Sequence, residues 1–258
     1  LSQPNPELTI KEHEDFFSKG YFVRKRLFAP SEVQKALSLF DDLQKKARQF
    51  RTTTMHKNSQ FVVDQDRIDR IVWACGSAPK LKPLSRDPRL TLPSALLLQS
   101  VELQQLICQA HFKLPGDQVA FPWHQDSQHR GYGTDRWTDI NQKGSFVQTL
   151  VALDPCPLES GPVYFIDNTV AQGHLALDQS ENMEKHVDSG LAVPLLMEPG
   201  DTVFFHPFVI HGSMPNLSSK PRRVFINGFA YPGANMGTYP GCGLGESFRV
   251  SLHREVAA

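Results

Sequence analysis

The stretch FPWHQDSQHR, residues 121–130, sets His124, Asp126 and His129 close together beside Trp123. On an extended strand, residues two apart point the same way, so His124 and Asp126 share a face and Gln125 takes the other. His129 lies beyond the expected end of that strand and need not join them. An imidazole and a carboxylate on one face are two thirds of the His-His-carboxylate set that holds non-haem Fe(II) and leaves coordination positions open. The tripeptide His-x-Asp also describes a hydrogen-bonded surface pair, so the chemistry depends on a third ligand elsewhere.

The chain has ten histidines. His13, His56, His129, His174, His186 and His253 stand in helical or loop contexts and read as solvated. His206 and His211, in GDTVFFHPFVIHGSMPNLSSKPRRVFING, are the candidates on a later strand. His211 precedes Gly212 at a strand end, where a side chain can reach a cavity, whereas His206 reads as a packed strand histidine. Arg222 follows His211 by eleven residues, and the intervening SMPNLSSKP is a return turn that brings a guanidinium back toward the metal. Arg223 is its rival, one residue on and on the opposite strand face.

These groups need a scaffold, and the chain divides into two kinds of pattern. Residues 1–106 read as mostly helical support. The segment TIKEHEDFFSKGYFVRKRLF carries Ile10, Phe16, Phe17 and Tyr21, with Thr9 capping a helix that ends at Gly20. Behind Pro30, a Ser31 cap opens a second helix with Val33, Leu37, Phe40 and Leu43 on one face. QFVVD and IDRIVWAC are too short and mixed to assign, and LPSALLLQSVELQQLI reads as a further helical pass. From 107 to 232 the pattern changes to short strands: CQAHFKL, QVAFPWHQD, SFVQTLVAL, PVYFID, AVPLLM, TVFFHPFVIHG and RRVFINGFAY. The turn segments PGD, ESGP, EPGD and SSKPR separate them. The expected fold is mainly β with N-terminal helices, a jelly roll or cupin-like double-stranded β-helix, in a single domain over 1–258. Two long polar insertions, 127–144 and 168–190, read as lids or binding loops. Residues 233–258 read as an irregular, Gly- and Pro-rich extension, placed to fold over the barrel mouth.

PWHQD, SGPVYFID and PGDTVFFHPFVIHGSMPNLSSKPR together resemble the signature segments of the phytanoyl-CoA dioxygenase family, which includes ectoine hydroxylase. The resemblance spans roughly residues 8–232 and is strongest from 99 onward. It implies an Fe(II)- and 2-oxoglutarate-dependent oxygenase on a jelly-roll fold, with O2 as co-substrate and succinate and CO2 released. Carried over by position, His124, Asp126 and His211 are the iron ligands. Arg222 takes the distal carboxylate of 2-oxoglutarate, a task suited to its planar fork. Related halogenases have a small residue where Asp126 stands, so this chain favours hydroxylation or another oxidation.

CQAHFKLPG resembles the family strand beneath the cosubstrate; alternation places Gln109, His111 and Lys113 on one face, and the resemblance makes them candidate cosubstrate contacts, with exposure on an edge strand the alternative for His111 and Lys113. The family often has Asn or a similar residue near His111, so His111 departs from the pattern. Gln148 and Thr149 fall on opposite faces of SFVQTLVAL; the inward one can hydrogen-bond, Thr149 toward the cosubstrate or Gln148 toward the substrate. ESGP reads as a structural turn. In the first insertion Arg130, Arg136 and Trp137 form a candidate substrate lid. Its two arginines favour a small polar or anionic substrate.

The bulk composition narrows the alternatives. Lys plus Arg and Asp plus Glu are 27 each, so no global field draws the chain to nucleic acid or a membrane surface. No run approaches the ~18 apolar residues of a membrane span. The opening LSQPNPELTI lacks the pattern of a secretory signal. Four separated cysteines with no C-x-x-C pair make free thiols in a reducing cytoplasm the default, with a disulfide between two of them left open. A monomer or weak homodimer acting on a small-molecule substrate is expected. The competing readings are a non-oxidative metal-binding cupin, which has no need of the Arg222 carboxylate clamp, and a protein hydroxylase, which needs a long open groove.

Overall fold

The computed structural model describes residues 7–177 and 183–251; His253 lies outside them. Among the described residues there are six α-helices: α1 (Ile10–Phe17), α2 (Pro30–Ala47), α3 (Ala74–Ser77), α4 (Lys82–Ser85), α5 (Pro88–Leu98) and α6 (Asp126–Arg130). The thirteen strands among the described residues are β1 (Tyr21–Arg24), β2 (Thr52–His56), β3 (Ser59–Asp64), β4 (Arg67–Val72), β5 (Glu102–Lys113), β6 (Phe121–His124) and β7 (Phe146–Ala152), followed by β8 (Val163–Ile166), β9 (Ala192–Pro194), β10 (Thr202–Phe205), β11 (His211–Ser213), β12 (Arg222–Ala230) and β13 (Glu246–Arg249).

Two antiparallel sheets make the jelly roll. The major sheet runs β1-β10-β7-β12-β5-β4-β3-β2, and the minor sheet runs β6-β11-β8-β9. Strand β5 has β12 along one edge; its other edge is shared by β4 at His111 and β13 at Gln105. Alternation sorts the major sheet cleanly. Cys108, Ala110, Phe112, Val147, Val151, Phe204 and Phe225 join the core beneath the helices. Leu150, Val203, Phe205, Val224 and Ile226 face the minor sheet and pack with Phe165.

The helical layer covers the outer face. Thr9 closes a full capping box with Glu12, as its sequence suggests. Helix α2 starts one residue before Ser31: Pro30 occupies its first turn, Ala29 is the cap, and Glu32 reaches back to the Ala29 N–H. Val33, Ala36, Phe40 and Leu43 are buried on one side, and the Phe40 ring lies 5.5 Å from Phe112 and 5.9 Å from Phe225. Burying such a ring contributes about 1.5–3 kcal/mol, which fastens the helix to the sheet behind the site.

The structure corrects several sequence expectations. Residues 52–72 are a three-stranded meander that extends the major sheet, so the first 106 residues are less helical than their pattern suggests. The segment read as a final helical pass ends at Leu98. Gln99 adopts a left-handed conformation there, and ELQQLI enters β5. TVFFHPFVIHG is two strands in different sheets, β10 and β11, joined by a turn at His206–Val209 with Pro207 in its second position. The 233–251 extension is not wholly irregular, because β13 lies within it. Cys75 and Cys108 are paired as a disulfide, the alternative that the sequence leaves open, so the default of free thiols holds only for Cys156 and Cys242. Among the described residues no helix is long and apolar enough to cross a membrane.

Candidate active site

Strand β6 ends at His124, and the chain then turns into α6, whose first residue is Asp126. The pair therefore does not share a strand face, as simple alternation suggests; a strand-to-helix switch brings it together. Gln125 holds the switch. Fully buried, it donates through Nε2 to the Gly173 and Phe208 carbonyls at 2.9 and 2.7 Å, and its Oε1 accepts from the Leu175 N–H at 2.9 Å. One side chain thus ties the ligand turn to the second insertion and to the corner between β10 and β11. His211 starts β11 directly opposite His124, and their rings are 4.2 Å apart.

His124, Asp126 and His211 offer ligand atoms that all lie within 4.8 Å of one another. Their hydrogen bonds fit a metal. His124 Nδ1 is 2.7 Å from the Pro122 carbonyl, and His211 Nδ1 is 3.0 Å from the Val209 carbonyl. A carbonyl can only accept, so each Nδ1 carries the proton and each Nε2 keeps its lone pair for the site. Burial pushes His211 down to about 4, with the His124 charge adding to the effect, and burial lowers His124 as well. Both rings are then neutral, the form a metal requires. Asp126 Oδ2 is buried without a hydrogen-bond partner among the described residues, which a cation would satisfy.

His129 lies outside this cluster, its ring 5.2 Å from His124 on the cavity wall. His206 is also outside. The Pro207 corner turns it toward α1, where its ring meets Phe16 at 5.1 Å and its Nε2 lies 3.1 Å from the Lys143 carbonyl. Gly20 makes room for that corner: its φ is +104°, and a Cβ there would come within 2.6 Å of Val209. His174 is likewise engaged, with Nδ1 2.9 Å from Ser127 Oγ.

The three candidate ligands line a cavity of about 800 Å³ whose other wall is the major sheet. Arg222 projects into it from the start of β12. It is 3% exposed, no carboxylate among the described residues pairs with it, and its Nε has no partner. Burial lowers its pKa, partly offset by the Cys156 thiol. Arg223 points the other way, to Asp154 at 2.7 Å and Asp41 at 2.6 Å.

Gln109 and His111 line the cavity as a hydrogen-bonded pair 2.7 Å apart. Burial holds His111 well below its usual pKa, reinforced by Arg70 and Arg222. Lys113 is not part of the lining. Its Nζ is buried against Ser213 Oγ at 2.7 Å, the Gly161 carbonyl at 3.2 Å and the Met214 carbonyl. Burial and Arg222 push it down to about 6. Gly161, from the ESGP turn, has φ +66°, and a Cβ there would run into the Met214 and Pro215 carbonyls. Of the β7 pair, Gln148 faces the cavity with Oε1 unpartnered, while Thr149 is turned away and donates to the Asn227 carbonyl.

The first insertion separates in the same way. Arg130 lines the cavity, Arg136 is exposed outside it, and Trp137 is buried, stacked on Tyr132 at 4.7 Å. The insertion packs on the C-terminal extension through Thr138 N–H to the Ala234 carbonyl and Met236 N–H to the Arg136 carbonyl. Asp139 accepts from Gly144 N–H and Ser145 Oγ, which fixes the loop's exit. Sequence reading missed Gln60 and Arg70 on the wall because they come from the meander it left unassigned, and Tyr239 because it lies in the extension. Their residue types alone carry no positional signal.

Comparison with known proteins gives a consistent picture. The phytanoyl-CoA dioxygenase (PhyH) family model matches residues 16–224. Peroxisomal phytanoyl-CoA dioxygenase from Bos taurus is 24% identical over 251 residues, covering 89% of this chain and 70% of that one. Methylphosphonate hydroxylase from Gimesia maris is 32% identical over 75 residues, a stretch spanning 29% of each chain. Among solved structures, EctD from S. alaskensis with 2-oxoglutarate and 5-hydroxyectoine superposes with a TM-score of 0.69 at 19% identity, covering 91% of this chain and 79% of that one. At that identity the likeness establishes a shared fold.

Proposed function

The chain belongs to the phytanoyl-CoA dioxygenase family, a family of Fe(II)- and 2-oxoglutarate-dependent dioxygenases, and from this premise we propose that it oxidises a C–H bond of a small polar molecule, with His124, Asp126 and His211 as iron ligands and Arg222 as the cosubstrate clamp. The observation that carries this reading is the pairing of two features on one cavity. A His-Asp-His set with both Nε2 atoms free stands opposite a buried arginine that no carboxylate among the described residues neutralises.

Bound iron would supply open positions for the 2-oxo acid end of 2-oxoglutarate and for O2, and with them the oxidising chemistry. In the overall reaction one oxygen atom enters the substrate as hydroxyl and the other enters succinate, with CO2 leaving. The protein's own work is positional. The Pro122 and Val209 carbonyls fix the two imidazoles, Gln125 fixes the turn between His124 and Asp126, and Arg222 supplies a two-pronged donor for the distal carboxylate. The apolar residues Leu150, Val163, Val224 and Ile226 line the space between and exclude water.

A non-oxidative cupin gives no reason to leave Arg222 buried and unneutralised, since such a charge costs several kcal/mol without an anion. A cavity of about 800 Å³ suits a small molecule, which weighs against a protein hydroxylase. The test is calorimetric titration of 2-oxoglutarate into the Mn(II)-loaded protein, followed by a screen for compounds that stimulate succinate release with Fe(II) in air. Tight binding of 2-oxoglutarate only when metal is present is expected. Metal-loaded protein that binds none of it would overturn the reading.

A further inference from the structure

Resting on that reading, we propose that Arg130 is a specificity-determining residue that binds an oxyanion of the substrate, either a carboxylate or a phosphoryl or phosphonyl group. Among the described residues, three arginines line the cavity, Arg70, Arg130 and Arg222, against one carboxylate, Asp126. Asp126 belongs to the metal set. Arg70 has the Asp69 carboxylate at 3.1 Å, and Arg222 is matched by the cosubstrate. Arg130 remains. It is 8% exposed, its side chain makes no hydrogen bond or ion pair with any described residue, and its Nε is buried without a partner. A guanidinium held in that state carries a desolvation cost that a bound anion would offset.

Its surroundings hold the group without using its N–H donors. The guanidinium carbon lies 5.3 Å from the centre of the Phe146 ring and 5.1 Å from that of Tyr239. Ring faces attract the cation and leave its N–H edge free, the arrangement a planar oxyanion binds in two-pronged fashion. Arg130 ends α6, about one helical turn beyond Asp126, so it is tethered directly to the metal set.

The position also separates the two anion sites. Phe146 pairs with Ala230 at the far end of β12 from Arg222, eight residues or about 26 Å of strand away at ~3.3 Å per residue. Arg222 and the Phe146 ring that holds the Arg130 guanidinium thus stand at opposite ends of this stretch of sheet. A molecule anchored by its anionic end at Arg130 would reach toward the metal from the side away from the cosubstrate. Gln148, with its Oε1 unpartnered on the cavity wall, offers an acceptor to a donor on the same molecule.

The test uses the full chain loaded with Mn(II) and 2-oxoglutarate, titrated with matched probes. These are butyrate against butyramide, propylphosphonate against its dimethyl ester, and inorganic phosphate. The wild-type protein should bind the anions and discriminate against the neutral partners; the carboxylate and phosphonate arms show which oxyanion fits. Arg130→Gln should weaken anion binding by on the order of thirtyfold while 2-oxoglutarate affinity changes by less than about twofold. Arg130→Lys should keep the preference for anions at reduced affinity. Equal binding of charged and neutral probes by the wild type overturns the proposal, as does binding of neither. So does an Arg130→Gln protein that loses both kinds of probe alike together with thermal stability, the signature of a packing role. The outcomes separate the two levels of argument. If 2-oxoglutarate binds and anions are not preferred, only this inference falls, whereas failure of 2-oxoglutarate to bind removes the reading beneath it.

Discussion

Arg222 and Arg223 are adjacent on β12 and occupy opposite faces of the major sheet. Arg222 lies in the cavity with Nε unpartnered, and Arg223 is locked on the outer side by Asp154 and Asp41. Two residues of identical chemistry therefore have separable roles, and strand alternation is the cause.

The first prediction follows from that separation. Arg222→Ala should weaken 2-oxoglutarate binding to the Mn(II) protein by tens-fold or more, since losing one partner of a desolvated charge pair costs about 2–5 kcal/mol. Arg223→Ala should leave cosubstrate affinity nearly unchanged and lower folding stability by about 1–3 kcal/mol, through the stranded Asp154. Calorimetry and urea denaturation of both variants read the two effects separately, and the reverse ranking would assign the clamp to the wrong arginine.

Metal binding should depend on three side chains and be indifferent to two nearby histidines. Alanine at His124, Asp126 or His211 should reduce Mn(II) or Fe(II) affinity by roughly a hundredfold or more while circular dichroism stays native, because even outer-shell losses cost 10–100-fold. His129→Ala and His206→Gln should retain metal. Retention by His211→Ala would remove the assignment.

Gln125 should matter to both fold and site. Gln125→Leu leaves the Gly173 and Phe208 carbonyls and the Leu175 N–H without their buried partner. We expect a loss of about 1–3 kcal/mol per stranded group at most, partly relieved by water, and about a tenfold drop in metal affinity as the ligand turn loosens. Unchanged metal affinity in a destabilised variant would confine Gln125 to a folding role.

His206 should give the metal-free protein an acid-sensitive stability. Burial pushes its ring down to about 3 in the folded state, below its ordinary 6.5, because only the neutral ring fits between α1 and the Pro207 corner. A depressed folded value means the contribution is complete above about pH 6.5 and is lost progressively as the pH falls toward 3. Between pH 6 and 4 this residue should add up to about 1.4 kcal/mol per pH unit to the slope of unfolding free energy. His206→Gln should flatten the curve in that window, as read from urea midpoints at a series of pH values. An unaltered slope would show that the ring is not held neutral.

Much of the site was legible in the chain itself, because ligand chemistry depends on residue type and local spacing. His124 and Asp126 two apart, and Arg222 eleven beyond His211, are facts of the sequence, as are the alternation that parts Arg222 from Arg223 and the Thr9 cap. What tertiary structure decided were choices that local pattern leaves degenerate. The short segments at 52–72 are strands because they pair with one another and, through β4, with β5, and this placed Gln60 and Arg70 on the cavity wall. A turn at Pro207 split one apparent strand between two sheets, sending His206 toward α1 and His211 toward the metal set. Gln148 rather than Thr149 faces the cavity because pairing with β12 fixed the strand's rotation. Arg130 and Arg136 are alike in sequence, but only one lies beneath Phe146 and Tyr239. Those rings come from β7 and from the C-terminal extension, well separated along the chain, so only their packing could bring them together around one guanidinium.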